Sequence, residues 1–231
     1  MKNTENRAKT TEWYRERIDY LREFMREERY DTLCRSLAMR TKYMTLMAEN
    51  TFHPHNASAL VRHCEAFGVQ TMHTVETRCK FDLSENIMRG TDKWVDIKSH
   101  NSTAEALATL RREGYRIVAT TPHRESCTPE TFDVTKGKFA LVFGTEHAGI
   151  SDEVIAAADE FLKIPMCGMV ESLNVSASAA ILVYMLSERM RHEVEGWQLS
   201  EEEYHETLYR WARESVRDDE NVLKRHFGED F

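Results

Sequence analysis

The chain has 231 residues, 41% of them hydrophobic, with nine glycines, four prolines and a formal charge of −8. Such a length holds one α/β core with additions or two small domains, and the composition is that of globular protein without low-complexity segments. The acidic balance argues against non-specific nucleic-acid binding, the longest apolar run, near 179–186, falls well short of the roughly 18 residues a membrane span takes, and five scattered cysteines without a Cys-x-x-Cys pair are read as buried or inert thiols.

In residues 1–42, Tyr14, Ile18, Leu21 and Met25 recur at helical spacing and predict an amphipathic helix, followed by a short helix over 31–39. Arg15, Arg17, Arg22, Arg26, Arg29, Arg35, Arg40 and Lys42 crowd the same segment, while acids gather at 201–203 and 218–220. A face of this kind is either solvated and paired with glutamates one turn away, or a surface for phosphates. From Tyr43 onward strand-like runs alternate with helices. The pattern predicts a strand at 44–48, a helix from 57 that Asn56 can cap and that ends before Gly68, and strands at 71–75 and 94–97. Next come a helix over 103–113, with Ser102 and Glu105 as a capping box and Gly114 as its stop, and strands at 116–120, 140–143 and 161–164. Ser151 opens a further helix. Alternation of this type predicts a parallel sheet with helices on both faces and ligands beyond the carboxyl ends of the strands. The loops at 120–122, at Gly144 and Gly149, and at Gly168 all follow strands, so they can converge on one pocket. Past Arg191, the spacing of Trp197, Tyr204, Leu208 and Trp211 predicts one or two more helices.

Residues 164–180 read Ile-Pro-Met-Cys-Gly-Met-Val-Glu-Ser-Leu-Asn-Val-Ser-Ala-Ser-Ala-Ala, a strand end passing through a glycine loop into a helix of small residues. Ser172 or Asn174 can cap that helix, and its small side chains let another backbone approach closely. The segment is suited either to cradling a cofactor or to packing tightly in a core. His53 and His55 show no metal-ligand spacing, so no metal is expected.

Three segments carry a resemblance: His-Pro-His-Asn-Ala-Ser-Ala-Leu-Val-Arg from 53, Leu-Val-Phe-Gly-Thr-Glu-His-Ala-Gly-Ile-Ser from 141, and the run at 164–180. In this order and spacing they resemble the three motifs of the SpoU, or TrmH, family of RNA ribose 2′-O-methyltransferases, over roughly residues 43–190. The TrmH branch, the tRNA guanosine-18 enzymes, is the most similar, through His-Pro-His-Asn, Lys-Trp-Val at 93–95 and Gly-Met-Val-x-Ser-Leu-Asn-Val-Ser. The resemblance implies an α/β core over 43–192 whose C-terminal segment forms a deep trefoil knot of the SPOUT type, with helical extensions at 1–42 and 193–231. It implies S-adenosylmethionine as cofactor, held by the loops that contain Thr120, Gly144, Ile164 and Leu173. It also implies a homodimer acting on tRNA, with a ribosomal-RNA methyltransferase or a catalytically silent RNA-binding protein as the alternatives. The short apolar runs and an N-terminus without an apolar signal core lead to the expectation of a cytoplasmic protein.

Arg62 matches the motif-one arginine that the family treats as essential, and Asn56 the motif-one asparagine. Because arginine is hardly ever neutral, Arg62 is read as an electrostatic device that holds a phosphate and stabilises a developing alkoxide, with the phosphate or a water taking the proton. Glu146 matches the motif-two glutamate and is read as ordering the cofactor loop. Ser172 and Asn174 match the motif-three polar pair, Ser172 serving either as a cap or as a substrate contact. Beside such a core, Arg22, Arg26 and Arg29 become candidate RNA contacts. After Tyr184 the chain departs from the branch, placing Arg189 and Arg191 one residue later, so the RNA contacts ascribed to the branch's arginines are not carried over.

Overall fold

Two neighbouring strands buried along their whole length need cover on both faces, and that requirement organises the middle of the chain. The computed structural model describes residues 9–50, 53–77, 90–121, 124, 126–145 and 148–228. They divide into two compact units, Thr41–Trp197 and the segments that flank it in sequence.

In the Thr41–Trp197 unit, β1 (Met44–Glu49), α3 (Pro54–Ala66), β2 (Thr71–Val75), a 3₁₀ turn (Thr91–Trp94) and β3 (Asp96–His100) come first. There follow α4 (Thr103–Arg112), β4 (Arg116–Thr120), β5 (Phe139–Phe143), α5 (Asp152–Ala157), β6 (Glu160–Leu162) and α6 (Val175–Glu193). The six strands form one parallel sheet in the order β3-β2-β1-β5-β4-β6. Side chains alternate between its faces with the period of two that a strand imposes. Met44, Leu46 and Ala48 of β1 join Phe139, Leu141 and Phe143 of β5 under α3 and α6, together with Leu60, Val61, Leu182, Val183 and Leu186. Met47, Ala140, Val142, Ile117 and Ala119 face the other way, against Ala106, Leu107 and Leu110 of α4 and Val154 of α5. Each fully buried branched side chain stabilises this arrangement by about 1.5–3 kcal/mol through its removal from water.

Several boundaries depart from the sequence expectations. Asn56 is not the cap of α3: proline suits the first helical position, so Pro54 starts the helix from His53 and leaves Asn56 buried inside its first turn. Trp94 closes the 3₁₀ turn, and β3 starts at Asp96, where pairing with Thr71 begins. The last strand runs over Glu160–Leu162, shifted toward the N-terminus from 161–164, with Ile164 in the loop beyond it. Asn174 rather than Ser172 caps α6. Ser102 and Ser151 cap α4 and α5, and Gly114 turns the chain after α4 at φ +83°.

The other unit contains α1 (Thr11–Arg22), α2 (Glu27–Leu37), α7 (Glu201–Ser215) and α8 (Asp219–Phe227). The second helix begins four residues before the expected 31, because Glu27 and Glu28 suit the positive end of a helix dipole. Tyr14, Ile18, Leu21, Leu33 and Leu37 are buried here with Leu208, Trp211 and Leu223. A full capping box starts α7, with Ser200 accepting from the Glu203 amide and Glu203 returning the bond. Two of the N-terminal cations are withdrawn from solvent. Arg17 is only 3% exposed, lies 3.9 Å from the Trp13 ring centroid and 4.3 Å from that of Phe227, and donates to the Trp13 carbonyl. Arg40 is buried over Trp211. Arg22, Arg26 and Arg29 remain exposed around the junction of α1 and α2; Arg22 lies over Tyr30 and Arg29 donates to Ser215.

Candidate active site

The carboxyl ends of β4, β5 and β6 and the segment leading into α6 line one cleft of about 960 Å³. Its size falls within the range of about 300–1,000 Å³ usual for ligand sites, and a parallel sheet places such sites here. The Thr120 hydroxyl donates to the Val142 carbonyl at 2.8 Å, fastening the end of β4 to β5. From β5 the chain turns at Gly144 into a loop closed by mutual backbone bonds between Thr145 and Gly149, 2.9 and 3.1 Å long. A Cβ on Gly144 would overlap the backbone of Gly149 and Ile150, and Gly149 itself sits at φ +68°, so both positions call for glycine. Ile164 and Leu173 also line the cleft, as do Ile150, Ile155 and Leu182. Thr120, Gly144, Ile164 and Leu173 thus all lie on one cavity wall or another.

Ser172 and Asn174 also line the cleft. The Asn174 side-chain oxygen accepts from the amides of Ser176 and Ala177 at 2.8 and 3.4 Å, and its amide nitrogen donates to the Asn56 side-chain oxygen at 3.3 Å. One bond therefore joins the first and third sequence segments. Glu146 lies outside the described residues. Arg62 stands on the exposed face of α3 and is not among the residues that line the cleft of its own chain. Its neighbour His63 reaches Ser176 of α6 at 3.3 Å. Burial pulls the His63 pKa below the ordinary imidazole value, a hydrogen bond with the Ser176 backbone opposes that, and the Arg62 charge lowers it further.

Sequence reasoning missed several of these groups. Arg124, Lys163 and Glu171 bring charge to the cleft, and charge in a loop after a strand was the available sign. Glu49 was missed as well. Only 3% exposed at the end of β1, its carboxylate accepts from the Thr103 hydroxyl at 2.6 Å, the Ser151 hydroxyl at 2.7 Å and the Ser151 amide at 2.9 Å. An acid closing an otherwise apolar strand was its sequence signal. Arg189 donates to the carbonyls of Pro129 and Phe132, both at 2.7 Å, and pairs with Glu193, while Arg191 donates to the Phe67 carbonyl and pairs with Glu188. Both arginines are braces within this unit. Among the described residues no group of three or more His, Cys, Asp or Glu side chains could hold a metal ion, and no helix is long and apolar enough to cross a membrane.

The description of the SpoU rRNA Methylase family matches residues 43–184. The chain belongs to that family. The tRNA (guanosine(18)-2′-O)-methyltransferase of Borreliella burgdorferi is 33% identical to it over 201 residues, covering 87% of this chain and 92% of that protein. The Aquifex aeolicus protein of the same name is 37% identical over 194 residues, covering 82% of this chain and 91% of that one. The crystal structure of the A. aeolicus TrmH/SpoU tRNA modifying enzyme superposes with a TM-score of 0.72 at 34% identity, over 83% of this chain and 98% of the other. Family membership gives the cleft its chemical setting: the motif segments that form it, around Gly144 and from Ile164 to Asn174, lie inside the matched span.

Proposed function

We propose that this protein methylates the 2′-oxygen of a ribose in tRNA, that of guanosine-18, using S-adenosylmethionine. The observation that carries the reading is the cleft itself: three strand ends and the segment before α6, all within the family span, enclose one ligand-sized space. The relatives named for guanosine-18 methylation cover most of the chain, which favours tRNA over ribosomal RNA as the substrate.

The donor's fit is supported by the cavity's build. Gly144 lets the backbone of the 144–150 loop come close, Ile164 and Leu173 offer apolar surface to an adenine ring, and Thr120 adds a hydroxyl at the rim. When bound, S-adenosylmethionine supplies an electrophilic methyl group on a sulfonium. What remains falls to the chain's own side chains. Asn174, locked by its capping bonds and by Asn56, presents a fixed amide at the cleft. Ser172, freed from capping, is available to the ribose. Arg62 holds the phosphate next to the target ribose and stabilises negative charge as it develops on the 2′-oxygen, with the phosphate or a water receiving the proton. Glu146 orders the cofactor loop.

Since Arg62 lies off the cleft of its own chain, it meets the reacting oxygen through a second copy. Met169, 103% exposed, with Val170, Ile181 and Tyr184 gives a protomer an apolar face around the start of α6, and a symmetric homodimer covers it. The path from edge strand β6 back to α6, which packs over α3 in the middle of the sheet, fits a deep trefoil knot, and this rare topology is part of the proposal. The core spans 43–192, the helical segment 1–42 contacts RNA, 193–231 is a C-terminal helical extension, and the protein works in the cytoplasm.

Arg22, Arg26 and Arg29 are the proposed phosphate contacts. Replacing all three with alanine is expected to weaken tRNA binding and to reduce the slope of log K against log salt by about 2–3, because each phosphate contact releases about one counterion. Filter binding across a salt series measures it; an unchanged slope places the RNA elsewhere. The function as a whole is tested by mapping 2′-O-methyl groups in tRNA and ribosomal RNA from cells with and without the protein. Loss of the mark at guanosine-18 alone is expected, whereas loss only in ribosomal RNA establishes the alternative.

A further inference from the structure

We infer that Glu49 is a positioning residue for cofactor binding, acting through the loop between Gly144 and Ser151. The inference rests on the proposed function, since it assigns the cleft to S-adenosylmethionine. Glu49 is a carboxylate with almost no exposure, and a buried acid is costly unless its oxygens are filled by donors. Each of its three contacts can fill a carboxylate oxygen: the Thr103 hydroxyl, the Ser151 hydroxyl and the Ser151 amide. Two come from Ser151, the residue at which the 144–150 loop ends and α5 begins.

The other end of that loop is held by the sheet. Ala48, the residue before Glu49, pairs with Phe143, the residue before Gly144. Both ends of the loop are therefore tied to the last two residues of β1, one through strand pairing and the other through the Glu49 side chain. Between them Gly144, Thr145, Ala148, Gly149 and Ile150 form a wall of the cleft. The mutual bonds between Thr145 and Gly149 keep the loop's own shape but do not anchor it to the sheet. Glu49 supplies that anchor without being among the residues that line the cleft. Its third contact, Thr103, belongs to the start of α4 and serves the fold alone.

Methionine at this position keeps the length of the side chain but removes both accepting oxygens, so both Ser151 bonds are lost, whereas the amide group of a glutamine can satisfy the two hydroxyls and the Ser151 amide together. Calorimetric titration with S-adenosylmethionine, together with tRNA binding and thermal unfolding, tests the assignment. Glu49→Met is expected to weaken cofactor binding about tenfold, as removal of an outer supporting group does, with tRNA affinity within about twofold of the parent. Ser151→Ala should weaken cofactor binding by a smaller factor, and the double variant should lose less than the product of the two, since both changes cut the same tie. Thr103→Ala should lower the unfolding temperature without changing cofactor affinity. Parental cofactor affinity in a folded Glu49→Met protein overturns the inference. So does a Thr103→Ala protein as impaired in cofactor binding as Ser151→Ala, because Glu49 would then act only as general scaffold. Failure of the parent protein itself to bind the cofactor rejects the proposed function, and this inference falls with it.

Discussion

Alanine at position 144 is expected to weaken S-adenosylmethionine binding by about 5- to 150-fold, since overpacking costs about 1–3 kcal/mol, and toward the upper end because the displaced atoms here are backbone. The new methyl would overlap the Gly149 carbonyl and the Ile150 amide, neither of which can swing aside as a side-chain tip would. The 144–150 loop would have to leave its position against the cleft. The damage should stay local, since the core on both faces of the sheet is built from β1, β4, β5 and the packed helices. Calorimetry with the cofactor, paired with a thermal melt, measures both parts. A folded Gly144→Ala protein that binds the cofactor normally would remove the loop from the cofactor site.

The second large effect is expected at Arg62. Replacement by alanine should lower single-turnover methyl transfer by about 10² or more while cofactor affinity stays nearly unchanged, the signature of a group that acts on charge formed in the transition state. Nearly unchanged cofactor affinity is expected because the role assigned to Arg62 is toward the phosphate and the charge on the 2′-oxygen, not toward the methyl donor. Arg62→Lys should recover only part of the loss, since an ammonium keeps the charge but not the two-pronged geometry that suits a phosphate. Measuring the rate at saturating tRNA separates this role from binding. A wild-type rate under that condition would make Arg62 a binding contact only.

These two residues also mark how much could be read from the chain alone. Strands over Thr71–Val75 and Arg116–Thr120 were legible to the residue, since β-branched and apolar runs bounded by polar turns carry their own signal. The glycine at 144 was legible as a loop residue, but its need for zero side-chain volume appears only when Gly149 and Ile150 fold back on it. Asn56 was misread as a cap because a good capping residue came before an apolar run; Pro54, two positions earlier, governs where the helix starts. Asn56 instead meets Asn174, 118 residues away. Glu49 was not legible for the same reason: its partners are 54 and 102 residues distant, and no local pattern points to them. Among the N-terminal cations, sequence spacing could not separate Arg17, held between two aromatic rings, from the exposed Arg22, because one of those rings comes from Phe227. Long-range polar contacts are where a single sequence is least informative, and the candidate site is built largely of them.

The account's central claim is that this chain moves a methyl group from S-adenosylmethionine to one ribose oxygen of tRNA. The most direct measurement incubates the purified protein with isotopically labelled S-adenosylmethionine and two tRNAs that are identical except that one has a 2′-deoxyribose at guanosine-18, followed by nuclease digestion to locate the label. The account predicts label on the normal tRNA, recovered as 2′-O-methylguanosine from position 18, and none on the deoxy tRNA. Equal labelling of the two tRNAs, or label on a base, would contradict it.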